Sequence, residues 1–111
     1  MSAPAAAPLP GYACVVSKRH VVEPYELPAE ERAAFWEEAL VVARALASLY
    51  EPVKMNYEIH GNVVPHLHLH LFPRYDGDPY GTGALKLRED SFTRTEEELV
   101  AIGDAIRAAI T

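Results

Sequence analysis

The spacing of apolar residues changes period along the chain, and each change marks an element. Tyr12-Ala13-Cys14-Val15-Val16-Ser17 is a compact run rich in β-formers, which predicts a buried strand. Lys18-Arg19-His20 closes it, and Val21 to Leu27, with Pro24 inside, reads as a connector. From Pro28 to Tyr50 the period becomes helical. Phe35, Ala39, Val42, Leu46 and Leu49 form one stripe, and Trp36, Leu40, Ala43, Ala47 and Tyr50 form a second beside it. Pro28 suits a first helical turn, Glu30 and Glu31 complement the positive helix start, and Pro52 follows as a stop. One buried face needs one such band. Two bands imply burial against a sheet and against a second surface, of which another subunit is the simplest. The alternative is that Trp36 and Tyr50 form a partly exposed rim.

Beyond Pro52 the period drops to two. Val53, Met55, Tyr57 and Ile59 alternate with Lys54, Asn56 and Glu58, as in a half-buried strand. His60-Gly61-Asn62 is a turn, and Val63-Val64-Pro65 leads into a second alternating strand, His66 to Pro73. Asp76 to Gly83 reads as a glycine-bearing loop and Ala84 to Arg88 as a short strand. Thr95-Glu96-Glu97-Glu98 is a capping box that opens a last helix carrying Leu99, Ile102 and Ile106 at helical spacing. Strands and helices together predict an α+β domain over residues 11–111, preceded by a disordered Ala/Pro tail over residues 1–10.

Composition narrows the function. With 111 residues the chain supports one domain, so a site must lie on one small sheet or between subunits. Ten basic against sixteen acidic residues give a net charge of -6, which argues against a nucleic-acid backbone as partner. A small phosphorylated ligand remains compatible. Cys14 stands alone, which excludes an internal disulfide and a CxxC metal site and points to the cytoplasm. No apolar run reaches membrane-spanning length, and three prolines break the first ten residues, so neither a membrane partner nor a secretory leader is expected.

The chemistry concentrates in His66-Leu67-His68-Leu69-His70-Leu71. Alternation sends the histidines to one face and the leucines to the other. Three readings fit. The strand is merely histidine-rich and half-exposed. Or the imidazoles bind a metal, although a third histidine falls far along the strand and no fourth ligand has a recognisable spacing. Or they carry out covalent catalysis at phosphorus. Neutral imidazole is a good nucleophile near pH 7, provided that an acceptor holds its Nδ1–H and frees Nε2. Flanking imidazoles then stabilise charge or protonate a leaving oxygen.

Pro65 to Leu71 resembles the His-φ-His-φ-His-φ-φ signature of the histidine triad (HIT) superfamily. Met55 to Asn62, Phe72-Pro73-Arg74-Tyr75, Pro10-Gly11-Tyr12 and Val16 to His20 resemble the flanks found in small bacterial HIT hydrolases, so the likeness covers about residues 10–80. The resemblance implies a HIT-like antiparallel sheet with one long helix and a C-terminal helix, lacking the usual N-terminal strands, and a two-fold homodimer. It implies a nucleotide hydrolase or transferase of the diadenosine polyphosphate or nucleoside phosphoramidate kind, acting at an α-phosphate without cofactor or metal. By motif position His68 is the nucleophile, and His66 and His70 flank the phosphate. Asn56 corresponds to a polar contact to phosphate or ribose, and Gly61, Asn62 and Val63 to a segment that lends groups to the phosphates. The alternative functions are a nucleotide-binding protein with weak or no catalysis and a metal-binding protein that uses the histidine face.

Departures from the family pattern are specific. Tyr12 stands where many members have histidine, so a supporting charge is lost there. The cysteine pair that binds zinc in some bacterial members is missing. His20 is expected in a structural role, and His60 stands where an apolar residue is common and receives no role.

Overall fold

The computed structural model describes residues 6–82 and 92–110. Its elements in chain order are β1 (Ala6–Ala7), β2 (Ala13–Val16), a 3-10 turn (Pro24–Glu26), α1 (Ala29–Tyr50), β3 (Lys54–Ile59), β4 (His68–Arg74), β5 (Phe92–Thr93) and α2 (Glu96–Ile110). The sheet runs β2-β4-β3, antiparallel throughout, and β1 pairs separately with β5. The α+β class, the antiparallel sheet, the long helix and the C-terminal helix are those expected. The strand expected over Ala84 to Arg88 lies outside the described residues.

The histidine strand is the middle one, and this position decides the architecture. Leu67, Leu69 and Leu71 are all essentially fully buried. They meet Ala13 and Val15 of β2, Met55 of β3, Phe35, Ala39, Val42 and Leu46 of α1, and Ile102 and Ile106 of α2. Burying each leucine side chain stabilises the fold by about 1.5–3 kcal/mol, so the leucine face of β4 is the main anchor of the sheet. The first stripe of α1 faces this core up to Leu46, while Leu49 at its end is exposed. The second stripe divides: Ala43 is buried, whereas Trp36 and Leu40 remain at the surface. α1 ends at Glu51, whose left-handed φ of 50° lets its N–H reach the Ala47 carbonyl. α2 begins as the capping box anticipates, with Glu98 N–H donating to Thr95 Oγ1 at 3.1 Å.

The disordered tail expected over residues 1–10 requires correction for residues 6–10. Ala6 and Ala7 pair with Thr93 and Phe92, and Leu9 is only 3% exposed. The cause is an apolar patch on the other face of the sheet, where Leu9 joins Tyr12, Cys14 and Phe72, flanked by Tyr75 and Tyr80. Tyr75 O–H donates to the Pro10 carbonyl at 2.8 Å and fixes the approach. Gly11 makes the crossing possible, because its φ is +80° and a Cβ there would lie 2.8 Å from the Tyr50 ring. Composition reads Pro and Ala as a tail; one leucine and an aromatic patch far away in sequence override it.

Candidate functional site

The histidine face of β4 carries His68, His70, Phe72 and Arg74 in a row, because same-face residues recur every second position. His66 lies just before the strand. Antiparallel pairing sets Val16 opposite His68, Cys14 and Glu58 opposite His70, and Asn56 opposite Phe72. One face thus gathers imidazoles from β4, a carboxylate and an amide from β3, and a phenol from the segment entering β2.

Hydrogen bonds fix the rings individually. His68 Nδ1–H donates to the His66 carbonyl at 2.6 Å. This selects the tautomer whose Nε2 carries the lone pair. His66 Nε2–H donates to the Ser17 carbonyl at 2.7 Å, so its Nδ1 accepts from His20 Nδ1–H at 2.9 Å. His66 is therefore held between two loop residues that end β2. His70 Nδ1 lies 2.8 Å from the Tyr12 hydroxyl. Burial, above all, pushes the Tyr12 phenol up to about 12, so it keeps its proton. Where that O–H donates to Nδ1, the proton of neutral His70 sits on Nε2.

His70 is the electrostatic centre of the group. Its ring stacks on Phe72 at 5.5 Å and on Tyr12 at 5.9 Å, and it meets the His68 ring edge-on at 4.8 Å. Burial is the largest influence holding it below the ordinary histidine range; His68 and His60 add to this, and Glu58 opposes them. At neutral pH His70 is thus uncharged, and it stands beside His68, whose Nδ1–H is committed to the His66 carbonyl.

Arg74 closes the far end of the row. Its guanidinium donates to both oxygens of Asp78 at 2.9 and 3.0 Å, to the Gly81 carbonyl, and to Asn56 Oδ1 at 2.9 Å. This bond fixes the orientation of the Asn56 amide, with its oxygen on Arg74 and its NH2 as the remaining donor. Arg74 holds the Asp78 carboxyl well below the usual carboxylate range.

The sequence-selected residues do not all converge. His66, His68, His70 and Asn56 share the face. Gly61, Asn62 and Val63 lie in the β3–β4 loop, with Asn62 and Val63 exposed. Among the described residues no hydrogen bond or ring contact joins these three to the histidines. Tyr12, marked as a lost charge, instead supports His70. Two neighbours had no assigned role: Glu58, and His60, whose Nε2 lies 3.0 Å from Glu58 Oε1 and whose ring lies 5.8 Å from that of His70. The β3–β4 hairpin register carried the signal for Glu58, since alternation puts it beside Asn56 on the polar side. Among the described residues no three His, Cys, Asp or Glu side chains converge as a metal site, and no helix is long and apolar enough to cross a membrane.

Comparison with known proteins agrees with this geometry. Residues 4–77 match the HIT domain family. The chain is 32% identical over 77 residues to the Protein hit of Bacillus subtilis, covering 64% of this chain and 53% of that protein. It is 33% identical over 72 residues to an uncharacterised HIT-like protein of Methanocaldococcus jannaschii, covering 61% and 56%. The chain thus spans about half the length of these curated relatives. A histidine triad protein from Bradyrhizobium japonicum superposes with a TM-score of 0.84 at 27% identity, over 96% of this chain and 80% of that one. A zinc-bound histidine triad family protein from Mycobacterium smegmatis superposes with a TM-score of 0.61 at 27% identity, over 96% and 73%. With its triad on the open face of a central strand and two-thirds of its length matched by one family, the chain belongs to the HIT domain family.

Proposed function

We propose that this protein is a HIT-type nucleotide phosphoesterase that attacks the α-phosphate of a dinucleoside polyphosphate or nucleoside phosphoramidate. The observation that carries this reading is the 2.6 Å bond from His68 Nδ1–H to the His66 carbonyl, which presents the Nε2 lone pair on the open face. In the first step that lone pair forms a bond to phosphorus while the bond to the leaving oxygen or nitrogen breaks. The product is a nucleotidyl-His68. His70, neutral and with its proton on Nε2, donates to a phosphoryl oxygen. His66, tied to Ser17 and His20, walls the other side and supplies the carbonyl that orients His68. The Asn56 NH2, oriented by Arg74, is a donor for phosphate or ribose. Gly61, Asn62 and Val63 belong to this reading as a loop that lends amides once a nucleotide is bound.

We place the protein in the cytoplasm on its cysteine usage and read it as a homodimer. The dimer reading rests on Trp36 and Leu40 of α1 and on Tyr57 and Ile59 of edge strand β3, apolar side chains that are exposed among the described residues. Sedimentation at micromolar concentration tests it, with twice the 12.3 kDa chain mass expected.

The function is tested by assaying a panel of adenosine and guanosine polyphosphates and phosphoramidates with wild type and His68→Asn. Turnover lost in the variant supports the reading. Tight nucleotide binding without turnover in wild type overturns it in favour of a nucleotide-binding protein.

A further inference from the structure

The Nδ1 atoms of His68 and His70 and both ring nitrogens of His66 are engaged by groups that hold the rings in place. His60 differs. It sits just past the end of β3, half-exposed, with Nε2 3.0 Å from Glu58 Oε1. The Glu58 carboxylate is largely shielded, with its side chain 12% exposed. The nearby Arg74 guanidinium offsets the cost of shielding this carboxylate, and the carboxylate in turn favours the charged guanidinium. The carboxylate accepts from His60 Nε2–H. That bond selects the tautomer with the lone pair on Nδ1, on a ring open to solvent. A carboxylate that holds one imidazole nitrogen while the other faces water is an arrangement suited to general-base work.

We infer that Glu58 and His60 form a base dyad that activates the water resolving the covalent intermediate, which makes this chain a hydrolase rather than a transferase. The inference rests on the nucleotidyl-His68 reading. His60 borders His70, and His70 borders His68, with ring separations of 5.8 and 4.8 Å. His60 therefore lies beside His70, one ring away from His68. In the step, His60 Nδ1 takes a proton from the water as its oxygen bonds to phosphorus. The phosphorus–Nε2 bond breaks, and its electron pair returns to His68. The nucleoside monophosphate leaves, and Glu58 stabilises the His60 imidazolium until it releases its proton to solvent. No oxidant, metal or further co-reactant is needed. The charged or titratable groups that face His60 are Glu58 on β3 and His70, with His68 next to it, on β4.

A base for the second step has a signature that a structural residue lacks. Single-turnover intact mass spectrometry, quenched at alkaline pH, follows formation and decay of the nucleotidyl adduct in wild type, His60→Leu and Glu58→Gln. The expected result is unchanged formation with decay slowed about 100-fold in His60→Leu, in the range that a general base contributes. Glu58→Gln slows decay less. Added hydroxylamine, a nucleophile that needs no base at neutral pH, restores decay in both variants. Equal decay in all three proteins overturns the dyad while the His68 reading stands. Slowed formation with unchanged decay also overturns it. Absence of any adduct in a wild type that turns over substrate removes the covalent reading itself, and the dyad's task with it. His60 is exposed, so its variant is expected to fold, and a wild-type melting curve verifies this.

Discussion

The two faces of β4 have nearly the same backbone and opposite duties. Leu67, Leu69 and Leu71 are sealed under α1 and α2, where volume and apolarity are the only requirements. His68 and His70 stand on the other side, half-buried, where the Nδ1 of each ring has its own partner. The leucine face tolerates apolar substitutions that fill the same space. The histidine face is expected to tolerate almost none, because in the proposed reaction moving one proton between Nδ1 and Nε2 would turn the nucleophile into a donor. The stiffness of the first face permits the second: a central strand clamped by leucines holds its imidazoles without a deep cavity around them.

Single substitutions separate the two faces. The largest effect on activity is expected from His68→Asn, which removes the proposed nucleophile. Steady-state assays should show turnover lost by several orders of magnitude, and calorimetry should show a melting temperature close to wild type. Leu69→Ala is the mirror image. It should destabilise the fold by about 2–5 kcal/mol in denaturant titrations, while the protein that remains folded still forms adduct at the wild-type rate. A His68 variant that unfolds, or a Leu69 variant that folds normally yet fails to react, would break the division of duties.

A smaller effect is expected from Tyr12→Phe. It removes one hydrogen bond to His70 Nδ1 and keeps the ring that stacks on Phe72. A net contribution of about 1 kcal/mol corresponds to about a fivefold fall in kcat/KM, with stability little changed. The smallest effect is a slope in stability with pH. His70 is held below its ordinary value of 6.5, first by burial. As pH falls past 6.5 the unfolded chain takes up this proton before the folded one does. The stability is therefore complete above that pH and is lost as pH falls through the lower value of folded His70. Melting temperatures between pH 7.5 and 5.5 should decline, and part of the decline should vanish in His70→Gln. Asp78, also held low, contributes only in more acidic solution.

How far these properties were legible in the sequence follows the same division. The leucine face, the long helix and the capped last helix are all periodic features, and period is what a sequence displays. The triad was legible because strict alternation at three histidines is itself a pattern. The side-chain partners of the triad were not. The hydroxyl of Tyr12 reaches His70 from 58 positions away, and His20 reaches His66 across 46. Such contacts depend on the β2–β4 register and on a turn at Gly11, and local composition carries neither. Leu9 was missed for the same reason, because its apolar patch is assembled from β2, β4 and the loop after β4. Gly61, Asn62 and Val63 illustrate the reverse case, in which adjacency in sequence to a strand of histidines did not become contact with them.

The most direct test of the account is intact mass spectrometry of the protein after brief incubation with adenosine and guanosine polyphosphates and phosphoramidates, quenched at alkaline pH because phosphoramidate bonds are acid-labile. The account predicts a nucleoside-monophosphate adduct in wild type that maps to His68 and is absent from His68→Asn. Turnover with no adduct at any time, or an adduct that persists in His68→Asn, would contradict it.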